Sequence, residues 1–418
     1  MDADKISLEG GPFENAPKMR TDEMMERKKV AILLPWMKMG GTNKIALHFM
    51  KELAEYCDVT LILSQNTGEL LEQLPENIHL MIDQMRDFKT ILKDDLRHFR
   101  CGFLIQDVIY YARIKMKRDS VDNYRYIVQR NDFICETEFD CAISYHGQSP
   151  ERLLNLMYRT HAKKKVAWIH GEFNNPGDHY RRMERYYSQL QHLYFVSNHT
   201  MASFFDKMSV PRDRCSVYYN PLDKQEVLEK AALSCDTKFS PEYVNLLTVG
   251  RISPEKGQDM IPQITNHLIN RGYKVRWYLV GDGDSRSIVE GNMEKYGVED
   301  DVILLGTKTN PYPYMKACDI YVQPSYTEGY STTICEAGIL GKAIVGTKPS
   351  GGIRDQIIDG VDGLIVDATV DGLTQGIQHL LENDMLRKNF EANIQKKNFA
   401  GTGEIQKFLS LLEDDTVS

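Results

Sequence analysis

The sequence predicts an α/β protein of two parallel-sheet domains in tandem. Short apolar runs of strand length alternate with amphipathic stretches of helix length, the alternation stops and restarts once near residue 243, and 418 residues exceed what a single core usually organises. Residues 1 to 28 are polar and aperiodic and are expected to be a poorly ordered tail. The first domain, 29 to 225, opens with Val30 to Leu34, a run suited to a strand buried on both faces. After a Met37 to Gly41 loop, the three-and-four spacing of Ile45, Ala46, Phe49, Met50 and Leu53 predicts a helix with Thr42 or Asn43 as its cap. Further strands are expected at Val59 to Leu63, Cys141 to Tyr145, Lys165 to Ile169 and Tyr194 to Ser197. The polar stretch after Asn220-Pro221 is read as a linker over 226 to 242. The second domain, 243 to 396, offers strands at Val244 to Val249, Val275 to Val280, Val302 to Leu305, Ile320 to Gln323, Ala343 to Val345 and Leu364 to Val366. Residues 397 to 418 are expected to form a C-terminal helix able to pack back on the first domain.

Composition narrows the function. With 42% hydrophobic and 26% charged residues the chain can bury substantial cores, and a net charge of -8 argues against nucleic acid as a partner. The eight cysteines are scattered without a C-x-x-C pair, which speaks for reduced thiols rather than a zinc or redox site. No signal-peptide core or bilayer-length apolar run is present, so a cytoplasmic protein is expected. Within residues 86 to 118, Lys89, Lys93, Arg97, Arg100, Lys117 and Arg118 mingle with Phe88, Ile91, Leu96 and Phe99. That mixture suits either a peripheral contact with anionic lipid on the inner face of a membrane or an ordinary helix with solvated cations.

In open parallel sheets ligands sit at the carboxyl ends of the strands, so the loops there carry the chemistry. After Val244 to Val249 comes Gly250-Arg251-Ile252-Ser253-Pro254-Glu255-Lys256-Gly257, which puts two cations beside a helix start, a combination that grips a diphosphate or simply decorates a solvated loop. After Ile320 to Gln323 comes a segment from Pro324 to Glu336 in which Ser331 or Thr332 can cap a helix. There Glu328 and Glu336 read either as a sugar contact and a ribose contact or as a surface acid and a capping acid. Asp282-Gly283-Asp284 has a metal-binding form, but it follows a strand in a turn where a capping role suffices, so no metal is implied. No G-x-x-x-x-G-K-[ST] loop occurs, and no G-x-G-x-x-G follows the first strand of either half.

Together, Gly250-Arg251, Lys256-Gly257, the EGYSTTICEA segment with Glu328 and Glu336, and the later Gly351-Gly352 and Asp359-Gly360 make the chain resemble the retaining glycosyltransferases of family 4. The resemblance is dense over residues 243 to 370 and thinner before them. It implies a GT-B fold, in which two Rossmann-like domains face each other across a cleft. It also implies a nucleotide-sugar donor held by the second domain, a glycan or lipid-linked acceptor on the first, and no cofactor. By position it assigns Arg251 and Lys256 to the diphosphate, Glu328 to the donor sugar and Glu336 to the ribose. Gly250 and the segment Gly329, Tyr330, Ser331 and Thr332 join them, the backbone N–H groups of 329 to 332 helping with sugar and phosphate. His170 ends a strand and is expected either to hydrogen-bond the donor sugar or to be a turn histidine bonded to backbone. Glu172 is a secondary acid-base option, Gly40 and Gly41 either turn the chain or admit a phosphate, and Tyr312 either stacks on a base or packs. A nucleotide-sugar epimerase and a non-catalytic partner subunit of the same fold remain as rivals.

Overall fold

The computed structural model describes residues 27–98, 101–115, 121–173, 178–349, 351–399, 401 and 403–414. The first sheet is built from β1 (Lys29–Leu34), β2 (Asp58–Leu63), β3 (His79–Ile82), β4 (Glu138–Ser144), β5 (His161–Ile169), β6 (His192–Phe195) and β7 (Cys215–Val217), in the order 3-2-1-4-5-6-7. The second holds β8 (Val244–Val249), β9 (Val275–Val280), β10 (Val302–Leu304), β11 (Ile320–Gln323), β12 (Ala343–Thr347) and β13 (Leu364–Val366), in the order 10-9-8-11-12-13. Every ladder between these strands is parallel, with β1 and β8 central and buried on both faces, as their unbroken apolar runs require. All eleven strands expected from the sequence are present; the two not foreseen, β3 and β7, lie at the edges of their sheet, where side chains stay half in water and leave no apolar signature.

Several boundaries move. Arg27 donates to the carbonyls of Ala54 (2.6 Å) and Cys57 (2.8 Å), and Asp58 N donates to Lys28 O (2.9 Å), so packing begins inside the stretch expected as tail; residues 1–26 lie outside the described residues. The expected linker opens inside a helix. Lys224–Ala231 is a helix capped by Asp223, and Val227 and Ala231 are buried with Leu247, Tyr312 and Ile334 in the second core. Only two positions of that helix face inward, too few to stand out against its charges. The helix Gly41–Leu53 starts one residue before the expected caps: Gly40 is its N-cap, and Asn43 is buried with its amide donating to Lys38 O (2.8 Å).

The chain finally returns. Helix Glu404–Glu413 buries Ile405, Phe408 and Leu412 in the core of the first sheet, with the Phe408 ring 5.5 Å from Phe49 and 5.9 Å from Trp168. Lys164 Nζ caps its far end by donating to the carbonyls of Leu411 (2.7 Å) and Asp414 (2.7 Å), a cation placed where the helix dipole is negative. This return ties the second domain to the first and keeps the two carboxyl edges opposed.

Candidate active site

The two domains meet through glycines that leave no room for a side chain. A Cβ on Gly329 would stand 2.2 Å from the carbonyl oxygen of His170, and one on Gly351 would stand 1.7 Å from the ring of His199. Across the same seam Asn198 N donates to Asp355 Oδ2 (2.6 Å), while within the first domain His199 Nε2 lies 3.2 Å from Glu172 Oε1. Glu172 therefore stands beside a histidine of its own domain.

On the second domain, Gly257 has φ +67°, and a Cβ there would meet Pro324 O at 2.2 Å. Glycine therefore lets the loop after β8 press on the loop after β11. That contact brings Lys256 Nζ to 2.5 Å from Glu328 Oε1, where Gln323 Nε2 (3.1 Å) and Ser325 Oγ (3.3 Å) also donate. Arg251 does not join them: its side chain is 69% exposed and its Nη2 donates to Glu255 Oε1 (2.8 Å). Gly250, at φ +156°, packs its carbonyl where a Cβ on Gly281 would stand 1.9 Å away, so its role in this structure is a backbone approach. Asp282 accepts from Gly283 N (2.8 Å) and pairs with Arg286 (3.3 Å), as a turn-capping residue does.

Helix Thr332–Ile339 begins after Ser331, whose hydroxyl bonds Thr333 Oγ1 (3.0 Å) rather than capping. The N–H of Ser331 is also engaged, by Gln356 Oε1 at 3.2 Å, so it does not stand free for a ligand as the sequence suggested. Tyr330 is partly buried against Tyr219 (5.6 Å), with its hydroxyl 3.4 Å from Cys335 Sγ, so its side chain packs against the cores of both domains. One turn further, Glu336 is 5% exposed and accepts from the Tyr312 hydroxyl (3.2 Å). Burial pushes its carboxyl up to about 7 against the opposing pull of Lys44 and of that hydrogen bond. Tyr312, 8% exposed, packs against Glu336 through that hydroxyl and also lines the cavity beside it. Gly41, Lys44, Thr309, Thr332 and Glu336 line a cavity of about 110 Å³ that both domains share.

Across the cleft, His170 follows β5 as expected. Its Nε2 is enclosed and has no hydrogen-bond partner, its ring lies 4.8 Å from Tyr145, and burial pushes its pKa down to about 3. The same holds for His146 after β4, pushed down to about 4, with the two imidazoles 5.9 Å apart. Leaving such atoms unpaired is costly, so each Nε2 leaves a place for a ligand, while His170 also bonds the backbone of Tyr145 as a turn histidine does. Gly40 and Gly41 are at ordinary φ values; Gly40 has open space around its Cβ position, and a Cβ on Gly41 would stand 3.4 Å from Thr332 Oγ1.

Residues 234–397 match the family described as glycosyl transferases group 1. That match spans the second domain. The chain is 28% identical over 204 residues to N-acetylgalactosamine-N,N'-diacetylbacillosaminyl-diphospho-undecaprenol 4-alpha-N-acetylgalactosaminyltransferase of Campylobacter jejuni, a match covering 47% of this chain and 52% of that protein, about half its length. It is 24% identical over 297 residues to trehalose synthase of Thermococcus litoralis, covering 66% of this chain and 70% of that one. Among solved structures, Anabaena Alr3699/HepE in complex with UDP-glucose aligns with a TM-score of 0.67 at 17% identity over 92% of this chain and 99% of the other. The fold is accordingly GT-B.

Within the second domain, Gln323 and Ser325 were missed by sequence reasoning, as was His146 in the first domain. Gln323 carried a signal, being a polar side chain at the end of an otherwise apolar strand, and His146 occupies the same strand-exit position as His170.

Proposed function

We propose that the protein transfers a sugar from a nucleoside-diphosphate donor, with UDP-sugars the first to test, to a glycan or lipid-linked acceptor with retention of configuration. The observation that carries this reading is the Lys256–Glu328 pair set beside a buried Glu336 at one mouth of a cleft whose other wall offers His170. Glu336 accepts the ribose hydroxyls, Lys256 meets the diphosphate, and Glu328 turns to the sugar once its lysine is shared with phosphate. In the transfer step the bond from the anomeric carbon to the phosphate oxygen breaks, the acceptor oxygen bonds on the same face, and its proton passes to the leaving phosphate. His170, neutral, hydrogen-bonds the sugar; no general base and no metal is required. The UDP-glucose named with the Anabaena structure and the diphospho-undecaprenol named for the Campylobacter relative support the donor and acceptor classes. A screen of nucleotide-sugars for release of nucleoside diphosphate, with anomeric analysis of the product, is expected to show acceptor-dependent, retaining turnover. Turnover without acceptor would instead mark an epimerase, and absence of nucleotide binding by calorimetry a non-catalytic subunit.

Peripheral contact with anionic lipid on the cytoplasmic face is part of the same proposal. No described helix is long and apolar enough to cross a membrane. Helix Cys101–Lys115, however, exposes Ile105 (70%) and Val108 (68%) together with Ile109. Lys89, Lys93 and Arg97 stand exposed on the preceding helix, Phe88–Arg97, while the acids Asp95 and Asp107 are buried against Arg130. Phe99, Arg100, Lys117 and Arg118 lie outside the described residues. Vesicles containing anionic lipid are expected to sediment with the protein at low salt and to release the Ile105→Glu/Val108→Glu variant; equal binding of both would remove this surface.

A further inference from the structure

The end of the first sheet holds a second cavity, of about 420 Å³, which Gly40 and Gly41 border but whose other lining side chains the donor reading does not use. Trp36 and Lys38 reach it from the loop after β1, Asn43 from helix Gly41–Leu53, His146 from the loop after β4, and Ser149 and Arg152 from the start of helix Pro150–Arg159. Two of these side chains are incomplete as they stand. Asn43 is 7% exposed, and while its amide nitrogen is spent on Lys38 O (2.8 Å), its Oδ1 is enclosed with no partner. His146 Nε2 is enclosed in the same way. A buried amide oxygen with nothing to accept from is an acceptor set out for a donor, and an imidazole nitrogen accepts or donates according to its tautomer. A ligand rich in hydroxyls satisfies both.

Two cations flank the same space. Arg152 is 11% exposed, held in place by Ser64 Oγ and by Glu151 at 3.4 Å, so its guanidinium is fixed and only partly neutralised. Lys38 is exposed, makes no direct ion pair among the described residues though its charge reaches Glu69, and poises its Nζ 5.0 Å from the centre of the Trp36 ring. The indole offers a face on which the apolar side of a pyranose stacks. Neutral sugars would leave the two charges unused. Buried or fixed cations without full neutralisation mark the place of an anion.

From this geometry we infer that the cavity binds an acceptor sugar that carries an anionic group, with its hydroxyls on Asn43 Oδ1 and His146 Nε2 and its phosphate or carboxylate between Lys38 and Arg152. The inference rests on the reading that the first domain holds the acceptor, and it adds the chemical class of that acceptor. His146 and Arg152 thereby become specificity-determining residues. The anion sits on the acceptor side of the cleft, apart from the diphosphate contact assigned to Lys256.

The test uses the full chain, with and without saturating UDP, and three probes titrated by calorimetry or ligand-observed NMR: glucose 1-phosphate, glucuronate and methyl glucoside. The expected result is that at least one charged probe binds about tenfold or more tightly than methyl glucoside with UDP present, and that Arg152→Gln and, separately, Lys38→Gln remove most of that advantage. Whichever charged probe binds better identifies the anion as phosphate or carboxylate. Lys38 is a surface residue, so its variant guards against a folding defect in the Arg152 variant. Equal binding of the three probes, no binding, or a charged-probe preference that survives both substitutions overturns the inference. Loss of the preference in Lys256→Gln instead places the anion in the donor site and overturns it as well. If UDP itself fails to bind, the donor reading falls, while the probe titration without UDP still decides the acceptor site.

Discussion

Lys256→Ala is expected to lower turnover by about 100- to 1,000-fold at saturating donor and acceptor, the usual scale for removing one preorganised electrostatic partner. Negative charge grows on the leaving phosphate oxygen as the glycosidic bond breaks, so a fixed cation contributes more in the transition state than in the bound donor. The loss belongs chiefly in turnover, with a smaller effect on donor affinity. Lys256 is the cation placed for this. It is held to Glu328 within a shell of Gln323 and Ser325, and the Gly257 approach to Pro324 leaves it little freedom. Arg251, exposed and paired with Glu255, is screened by water and is expected to cost less when removed. EDTA is expected to leave wild-type turnover intact. Near-normal turnover in Lys256→Ala, or strong inhibition of the wild type by EDTA, would defeat a metal-free cation mechanism.

Much of this site was legible because parallel α/β folds put ligand chemistry where apolar runs end. The segments after β8 and β11 could be located from hydrophobicity alone, and Lys256, Glu328 and Glu336 fall in those loops or one turn beyond. What could not be read was which polar groups pair with one another. Arg251 and Lys256 look equivalent along the chain, yet the first turns to its own turn's Glu255 and the second crosses 72 residues to Glu328. The Ser331 N–H was assigned to a ligand because its partner, Gln356, is 25 residues away on another helix. Helix Lys224–Ala231 was hidden for a different reason: an amphipathic helix that buries only Val227 and Ala231 has the composition of a linker.

Glu336→Ala is expected to weaken binding of a nucleoside diphosphate by about 1.5 to 3 kcal/mol, the range for hydrogen bonds to a charged group. The structure adds a pH signature. Glu336 has an ordinary carboxyl value of 4.5 that burial raises to about 7, so in the free protein it is partly protonated at neutral pH. Two ribose hydroxyls donating to the carboxylate favour its ionised form, which lowers the pKa on binding and releases a proton. Affinity for UDP should therefore rise from pH 6 to pH 8, and calorimetry in buffers of different ionisation enthalpy should detect proton release near pH 7. Stability runs the other way. A carboxyl raised on folding contributes stability that is complete below about 4.5 and lost as pH climbs through about 7, so the free protein is expected to gain more from UDP in thermal unfolding at pH 8 than at pH 6. Glu336→Gln keeps the shape and the Tyr312 contact but cannot ionise, and should abolish both pH effects. A UDP affinity equally steep in pH for wild type and Glu336→Gln, or unchanged in Glu336→Ala, would take the ribose away from this residue.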